Sequence, residues 1–247
     1  ESYEAPEPAE SAGSRTLMTK YSYDLHDQVI EMVDYKISGN TETAYRYTEY
    51  TYDSRGRMTG YAQIDQSSQP TQEDIQAHQI TYTYNADGNL EAVSYPTKKN
   101  GIKGLRYVYN ANGQLTEIKG QTESEPKTIR TYTYDAYGKI TQIKDIRNLS
   151  SDGSQAVQKD YTYDGFDRVI KISAKDLETG KEMESYAYTY DKNSHITKKT
   201  QINRYPEKKE VNETKAYTYD TLGRLTKTVT TDHTNEDQKK TVTYTYD

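Results

Sequence analysis

Tyr217-Thr218-Tyr219-Asp220-Thr221-Leu222-Gly223-Arg224-Leu225-Thr226 reads as a complete β-hairpin corner. Tyr-Thr-Tyr alternates and favours extended backbone, whereas Asp-x-x-Gly is turn chemistry. An aspartate at the first turn position accepts hydrogen bonds from backbone two residues on. A glycine at the fourth takes the left-handed conformation that closes a type I turn in a bulge. A three-residue loop of this kind sets a register, with Asp220 opposite Arg224 and Tyr219 opposite Leu225.

The same corner recurs along the chain. Tyrosine, any residue, tyrosine, then Asp or Asn occurs nine times, with the second tyrosine at 23, 52, 84, 109, 134, 163, 190, 219 and 246. Eight copies continue into the turn, so the chain is a tandem array of supersecondary units. Structural repeat positions are typified by Tyr52, Asp53 and Gly56, by Tyr134, Asp135 and Gly138, and by Tyr219, Asp220 and Gly223. Asp27, Asp167 and Ser194 replace the glycine in three copies, and the turn ending at Ser194 is expected to be the weakest. The register pairs every second tyrosine with an aliphatic: Tyr23 with Val29, Tyr52 with Met58, Tyr84 with Leu90, Tyr109 with Leu115, Tyr134 with Ile140, Tyr163 with Val169, Tyr190 with Ile196 and Tyr219 with Leu225. Next to these, Asp53 faces Arg57, Asp135 faces Lys139, Asp164 faces Arg168 and Asp220 faces Arg224.

Two strands per repeat predict an all-β chain of roughly 17 strands. The expected architecture is one long, twisted and curled antiparallel meander sheet, an open, partial shell with the tyrosines on its concave face. A closed barrel or a propeller-like arrangement is the alternative. Leucine, isoleucine, valine and phenylalanine are sparse, mean hydropathy is −1.11 and tyrosine numbers 27, so the core is expected to be thin and tyrosine-lined. One pattern resists a simple sheet. Leu90 and Val93, Leu115 and Ile118, Ile140 and Ile143, and Val169 and Ile172 are three apart, which puts them on opposite faces unless a bulge intervenes. Residues 66–76 read as an excursion with a helical turn near Gln72, and Ser150–Gly153 and Glu178–Lys181 as turns. Residues 1–14, with Pro6 and Pro8, read as a flexible acidic leader, and 15–247 as the repeat domain.

The motif resembles the Rhs/YD-repeat family, whose unit is written around Y-x-Y-D-x-x-G-R-L-T and is matched nearly in full at 50–59 and 217–226. The resemblance implies bacterial surface proteins and toxin shells, with repeats that build β-strand walls and adhesive surfaces and are not themselves catalytic. It implies an extracellular or cell-surface location. The Glu- and Pro-rich start would suit a secreted protein or a processed lipoprotein. Eight units are too few to enclose a cargo, so a complete cocoon is not expected of this chain alone.

Cysteine is absent and no apolar run approaches about 20 residues, which excludes disulfides and a helical membrane span within these residues. A net charge of −6 argues against sequence-independent binding to nucleic acid or anionic membranes. His26, His78, His195 and His233 share no metal or triad spacing, and the recurring aspartates are about 10 Å apart between hairpins, too far to share a calcium ion. No catalytic, cofactor or metal site is expected. The candidate contact residues are aromatics the repeat does not require: Tyr137 and Phe166 at one turn position in neighbouring repeats, and Tyr61 and Tyr95. The two turn rings would stack on a glycan or meet a cell-surface protein if exposed; the simpler expectation is that both fold back over the sheet end. The function expected from these features is a non-enzymatic adhesive or spacer surface, carbohydrate being one ligand, with a structural shell segment as the alternative. End strands that self-associate are a further expectation.

Overall fold

The computed structural model describes residues 2–4, 16–99, 101–146, 156–205 and 209–247. The chain is all-β with antiparallel pairing throughout. It divides into two units, one of residues 1–113 with 118–127 and the other of residues 114–117 with 128–247.

The first unit holds β1 (Ser2–Glu4), β2 (Thr16–Tyr23), β3 (Val29–Ser38), β4 (Thr41–Tyr52), β5 (Met58–Ile64), α1 (Gln72–His78), β6 (Ile80–Tyr84), β7 (Leu90–Lys99) and β8 (Ile102–Tyr109). β9 (Leu115–Gln121) is divided between the units. From β2 to β8 each strand pairs with the next in chain order, so seven strands form a continuous meander rather than four-stranded propeller blades. Of the leader expected over 1–14, residues 2–4 are a strand on β2, and the rest lies outside the described residues.

The second unit holds β10 (Lys127–Tyr134), β11 (Ile140–Asp145), β12 (Val157–Tyr163), β13 (Val169–Asp176), β14 (Glu182–Tyr190), β15 (Ile196–Asn203), β16 (Val211–Tyr219), β17 (Leu225–Asp232) and β18 (Gln238–Thr243). These strands too pair consecutively. The turn expected at 178–181 forms, with Gly180 at φ +70° and its N–H on the Asp176 carbonyl. The turn expected at 150–153 lies outside the described residues.

Seven of the eight tyrosine–aliphatic pairs take the register read from the sequence. The remaining pair, Tyr109 with Leu115, spans the division between units. Each of the seven hairpins carries a bulge directly after the aliphatic, which resolves the odd spacing. In the fifth described corner of this kind, Tyr163 faces Val169, Thr162 faces Lys171 and Tyr161 faces Ile172, so Ile170 is the extra residue. The skipped residue brings Val169 and Ile172 to one face, opposite the two tyrosines. Leu90 and Val93 oppose Tyr84 and Tyr82 in the same way, and Ile140 and Ile143 oppose Tyr134 and Tyr132.

Burial departs from the tyrosine-lined core. The residues buried outright include Val33, Tyr47, Ala62, Ile64 and Val93 in the first unit and Ala174 and Met183 in the second. Tyr47 lies outside the motif, and the motif tyrosines are half-buried or, at Tyr23, Tyr244 and Tyr246, exposed. The excursion after β5 ends in α1, whose capping box is complete: Thr71 accepts from the Asp74 N–H and Asp74 accepts from the Thr71 N–H. The Gln72 helical turn read from the sequence therefore exists, and it packs against β5 and β7.

Candidate functional site

The corner is built from its aspartate outward. In the turn of Asp164, Oδ1 accepts the N–H groups of Phe166 and Arg168 at 2.9 and 3.0 Å, and the Asp164 N–H donates to the Arg168 carbonyl at 2.9 Å. Arg168 Nε then donates to Oδ2 at 2.7 Å. Asp53 with Arg57 and Asp220 with Arg224 repeat this arrangement. The guanidinium bond holds Asp53, Asp164 and Asp220 below the usual carboxylate range. At the fourth position Gly56 and Gly223 have φ of +77° and +79°, and Asp27, Asp167 and Ser194 are forced to +59°, +63° and +68°.

From the second repeat onward, the second tyrosine of the motif does more than face an aliphatic. Tyr52 donates its hydroxyl to the Val29 carbonyl, Tyr84 to Met58, Tyr109 to Leu90, Tyr134 to Leu115, Tyr163 to Ile140, Tyr190 to Val169, Tyr219 to Ile196 and Tyr246 to Leu225, all at 2.7 to 2.8 Å. Each acceptor is the aliphatic of the preceding repeat, and seven of the eight, all but Leu115, stand beside the bulges described above, where the strand ladder is interrupted. The bulge threonines add a second contact: Thr141 and Thr226 donate to the Thr133 and Thr218 carbonyls across their own hairpins.

The cation after the turn ties the repeats together a third way. Arg57 lies 4.3 Å from the ring centroid of Tyr84, Arg168 4.5 Å from that of Tyr190 and Arg224 4.7 Å from that of Tyr246, each while bound to its own aspartate. Where the sequence has His195 instead, the imidazole stacks on Tyr219 at 4.8 Å and its Nδ1 lies 3.0 Å from Asp191. Thus tyrosine, aspartate, glycine, arginine, aliphatic and threonine of one motif each have a defined contact.

Residues 109–148 match the RHS Repeat family model. No curated protein matches significantly. Among solved structures the chain is similar to the Photorhabdus luminescens Tc holotoxin pore, at 13% identity over 93% of this chain and 14% of that one, with a TM-score of 0.48. It is similar to TcdB2-TccC3 without its hypervariable C-terminal region at the same identity and TM-score, over 15% of that chain. A porin-like protein from Bacteroides uniformis is similar at 12% identity over 98% of this chain and 92% of that one, with a TM-score of 0.26. The chain spans about one seventh of the two Tc structures.

The four candidate aromatics fall into two groups. Tyr61 and Tyr95 are half-buried in β5 and β7; Tyr61 packs edge-on against Tyr50 at 5.7 Å and donates to Gln63. Tyr137 and Phe166 stand 88% and 82% exposed, which corrects the expectation that they fold back over the sheet end. Each ring has its own turn's cation against it instead, Lys139 at 4.8 Å from Tyr137 and Arg168 at 5.2 Å from Phe166. Leu222, at the same turn position, is 76% exposed.

The histidines lie apart in the structure. His26 borders an open cleft of about 800 Å³ at the first two turns, lined also by Asp24, Gln28, Ile30, Tyr50 and Arg55. Its Asp24 Oδ1 is engaged by the His26 and Gln28 N–H groups. His78 bonds the Asp74 carbonyl of its own helix. His233 contacts Asp237 at 2.5 Å and Thr214 at 3.0 Å, a hydroxyl–imidazole–carboxylate alignment that sequence spacing did not reveal. Asp237 is 70% exposed and, with Glu236, has positive φ, so the imidazole braces a strained surface turn. Among the described residues, no three His, Asp or Glu side chains are grouped to hold a metal ion, and no helix is long and apolar enough to cross a membrane.

Proposed function

We propose that this chain is a structural wall segment of a larger secreted or surface-associated assembly, and that its repeats do no chemistry. The observation that carries this reading is the hydroxyl latch from the second tyrosine to the preceding repeat, made by eight of the nine motif copies. A motif whose recurring chemistry is spent on joining one unit to the next is suited to extending a sheet. The Rhs repeat at 109–148 supports the same reading.

The adhesive, carbohydrate-binding reading has less support. The turn carboxylates beside Tyr137 and Phe166 accept bonds from their own backbone and cations, leaving few polar groups to meet sugar hydroxyls.

Native-state hydrogen exchange on the chain, run with and without a glycan panel, tests the proposal. A wall gives protection of similar strength in corresponding amides of successive hairpins, unchanged by any glycan. Saturable protection of one hairpin by a sugar, or turnover of a hydrolase substrate, would overturn it.

A further inference from the structure

At their third position the turns of the second unit differ in chemistry from those of the first, whose exposed apolar turn residue, Leu25, stands at the second position. The third turn residue is His26, Arg55, Asp87 and Asn112 in the first unit, and Tyr137, Phe166, Asn193 and Leu222 in the second. Three of the latter four are apolar and more than three-quarters exposed. Successive hairpins are about 10 Å apart, so these tips form one row along a single edge of that unit.

Their surroundings limit what the row can meet. The Oδ1 atoms of Asp135, Asp164 and Asp220 are filled by backbone N–H groups, including those of Tyr137, Phe166 and Leu222. Lys139, Arg168 and Arg224 pair with the same aspartates and lie behind the tips, and Asp167 pairs with Lys139. At three of the four tips what projects is therefore apolar, with exposed Lys192 and Asn193 in the turn between Phe166 and Leu222, and the cations beside the rings are paired with aspartates.

We propose that this row inserts into the interfacial region of a zwitterionic lipid bilayer, with Tyr137, Phe166 and Leu222 entering the acyl boundary and the ion pairs staying at headgroup level. Apolar side chains projecting ahead of basic ones, with an aromatic hydroxyl among them, are the arrangement that partitions at a lipid–water interface. Projecting tips fit a soft interface, whereas a protein partner would have to supply a matching groove for each. An aliphatic third member also has no stacking role toward a sugar ring. The proposal does not depend on the wall reading, because it concerns one edge of one unit.

The chain has no tryptophan, so Phe166→Trp creates a single reporter at an exposed position. Its emission is expected to shift to the blue on adding phosphatidylcholine vesicles and to be quenched by brominated acyl chains. Arg55→Trp, at the same turn position in the first unit, is expected to shift little. Co-sedimentation of the otherwise unchanged chain should fall at least about tenfold when Tyr137→Ser, Phe166→Ser and Leu222→Ser are combined, and should change little when anionic lipid is added. Unchanged Phe166→Trp emission at excess lipid would overturn the proposal, as would an equal shift in Arg55→Trp. Selective capture of a protein or a glycan by the three tips without vesicle binding would also overturn it.

Discussion

The phenol of Tyr163 donates to the carbonyl of Ile140 at 2.8 Å, joining the corner of one hairpin to the bulge of the hairpin before it. The bond explains why the motif calls for tyrosine where phenylalanine would supply the same ring. Tyr161, two residues earlier on the same face, forms no such latch.

Tyr163→Phe should therefore lower unfolding free energy by about 0.5–1.5 kcal/mol, the net worth of a hydrogen bond, and somewhat more if the carbonyl is left unsatisfied. Tyr161→Phe should be close to neutral. Chemical denaturation of the two variants measures the difference, and equal effects would show that the latch contributes nothing.

Ser194 closes its turn at φ +68°, a conformation that costs most residues energy and glycine almost none. Ser194→Gly should raise stability by roughly 1 kcal/mol, reduced by loss of the Arg168 contact to the Ser194 hydroxyl. A thermal melt with an unchanged or lower midpoint would show that this contact outweighs the strain.

Gly104 lies opposite Ser94 in the β7–β8 pair. A Cβ there would overlap the Val93 carbonyl oxygen and press on Gln121 and Ser94. Backbone cannot give way as a side-chain tip can, so Gly104→Ala should destabilise the first unit by about 1–3 kcal/mol. Gly39→Ala, where no atom lies within 4 Å, should show only the penalty of its left-handed φ, +59°.

Glu31 and Glu49 are directly opposed on β3 and β4, and Gln69 of the excursion donates to Glu31 at 2.7 Å. Burial pushes the Glu49 carboxyl up to about 7, and the Glu31 charge adds to it. A raised carboxyl value means the fold prefers the protonated form. This contribution is complete below the ordinary glutamate value of 4.5 and is lost as pH rises through about 7. Stability, and protection of residues 66–79 from exchange, should fall across that window, and Glu49→Gln should flatten both. Asp53, Asp164 and Asp220 act oppositely: their stabilisation is complete above the ordinary aspartate value and is lost as pH falls below it, outside the window of Glu49.

Much of the corner was legible in advance. The Asp-x-x-Gly turn, the pairing of Tyr163 with Val169 and the left-handed Asp27, Asp167 and Ser194 all follow from contacts within about ten residues. The three-residue spacing of Val169 and Ile172 signalled a bulge without placing it. The acceptor of the Tyr163 hydroxyl was hidden, because Ile140 is 23 positions away and reached only when hairpins stand side by side. The Glu31–Glu49 pair was hidden for a related reason, since its register depends on a further bulge between Asp34 and Tyr35. The exposure of Tyr137 and Phe166 was read the wrong way, because the competing contact that holds each ring outward is the cation two residues on.

By itself, the sequence determined the hairpin: its turn type, its register and the number of times it recurs, since those depend on local backbone preferences and on side chains a few residues apart. Only the tertiary structure decided how one hairpin is fastened to the next, which carboxyls meet, and which turn residues are left facing water. Those outcomes depend on groups that are distant along the chain and become neighbours only when the strands pair.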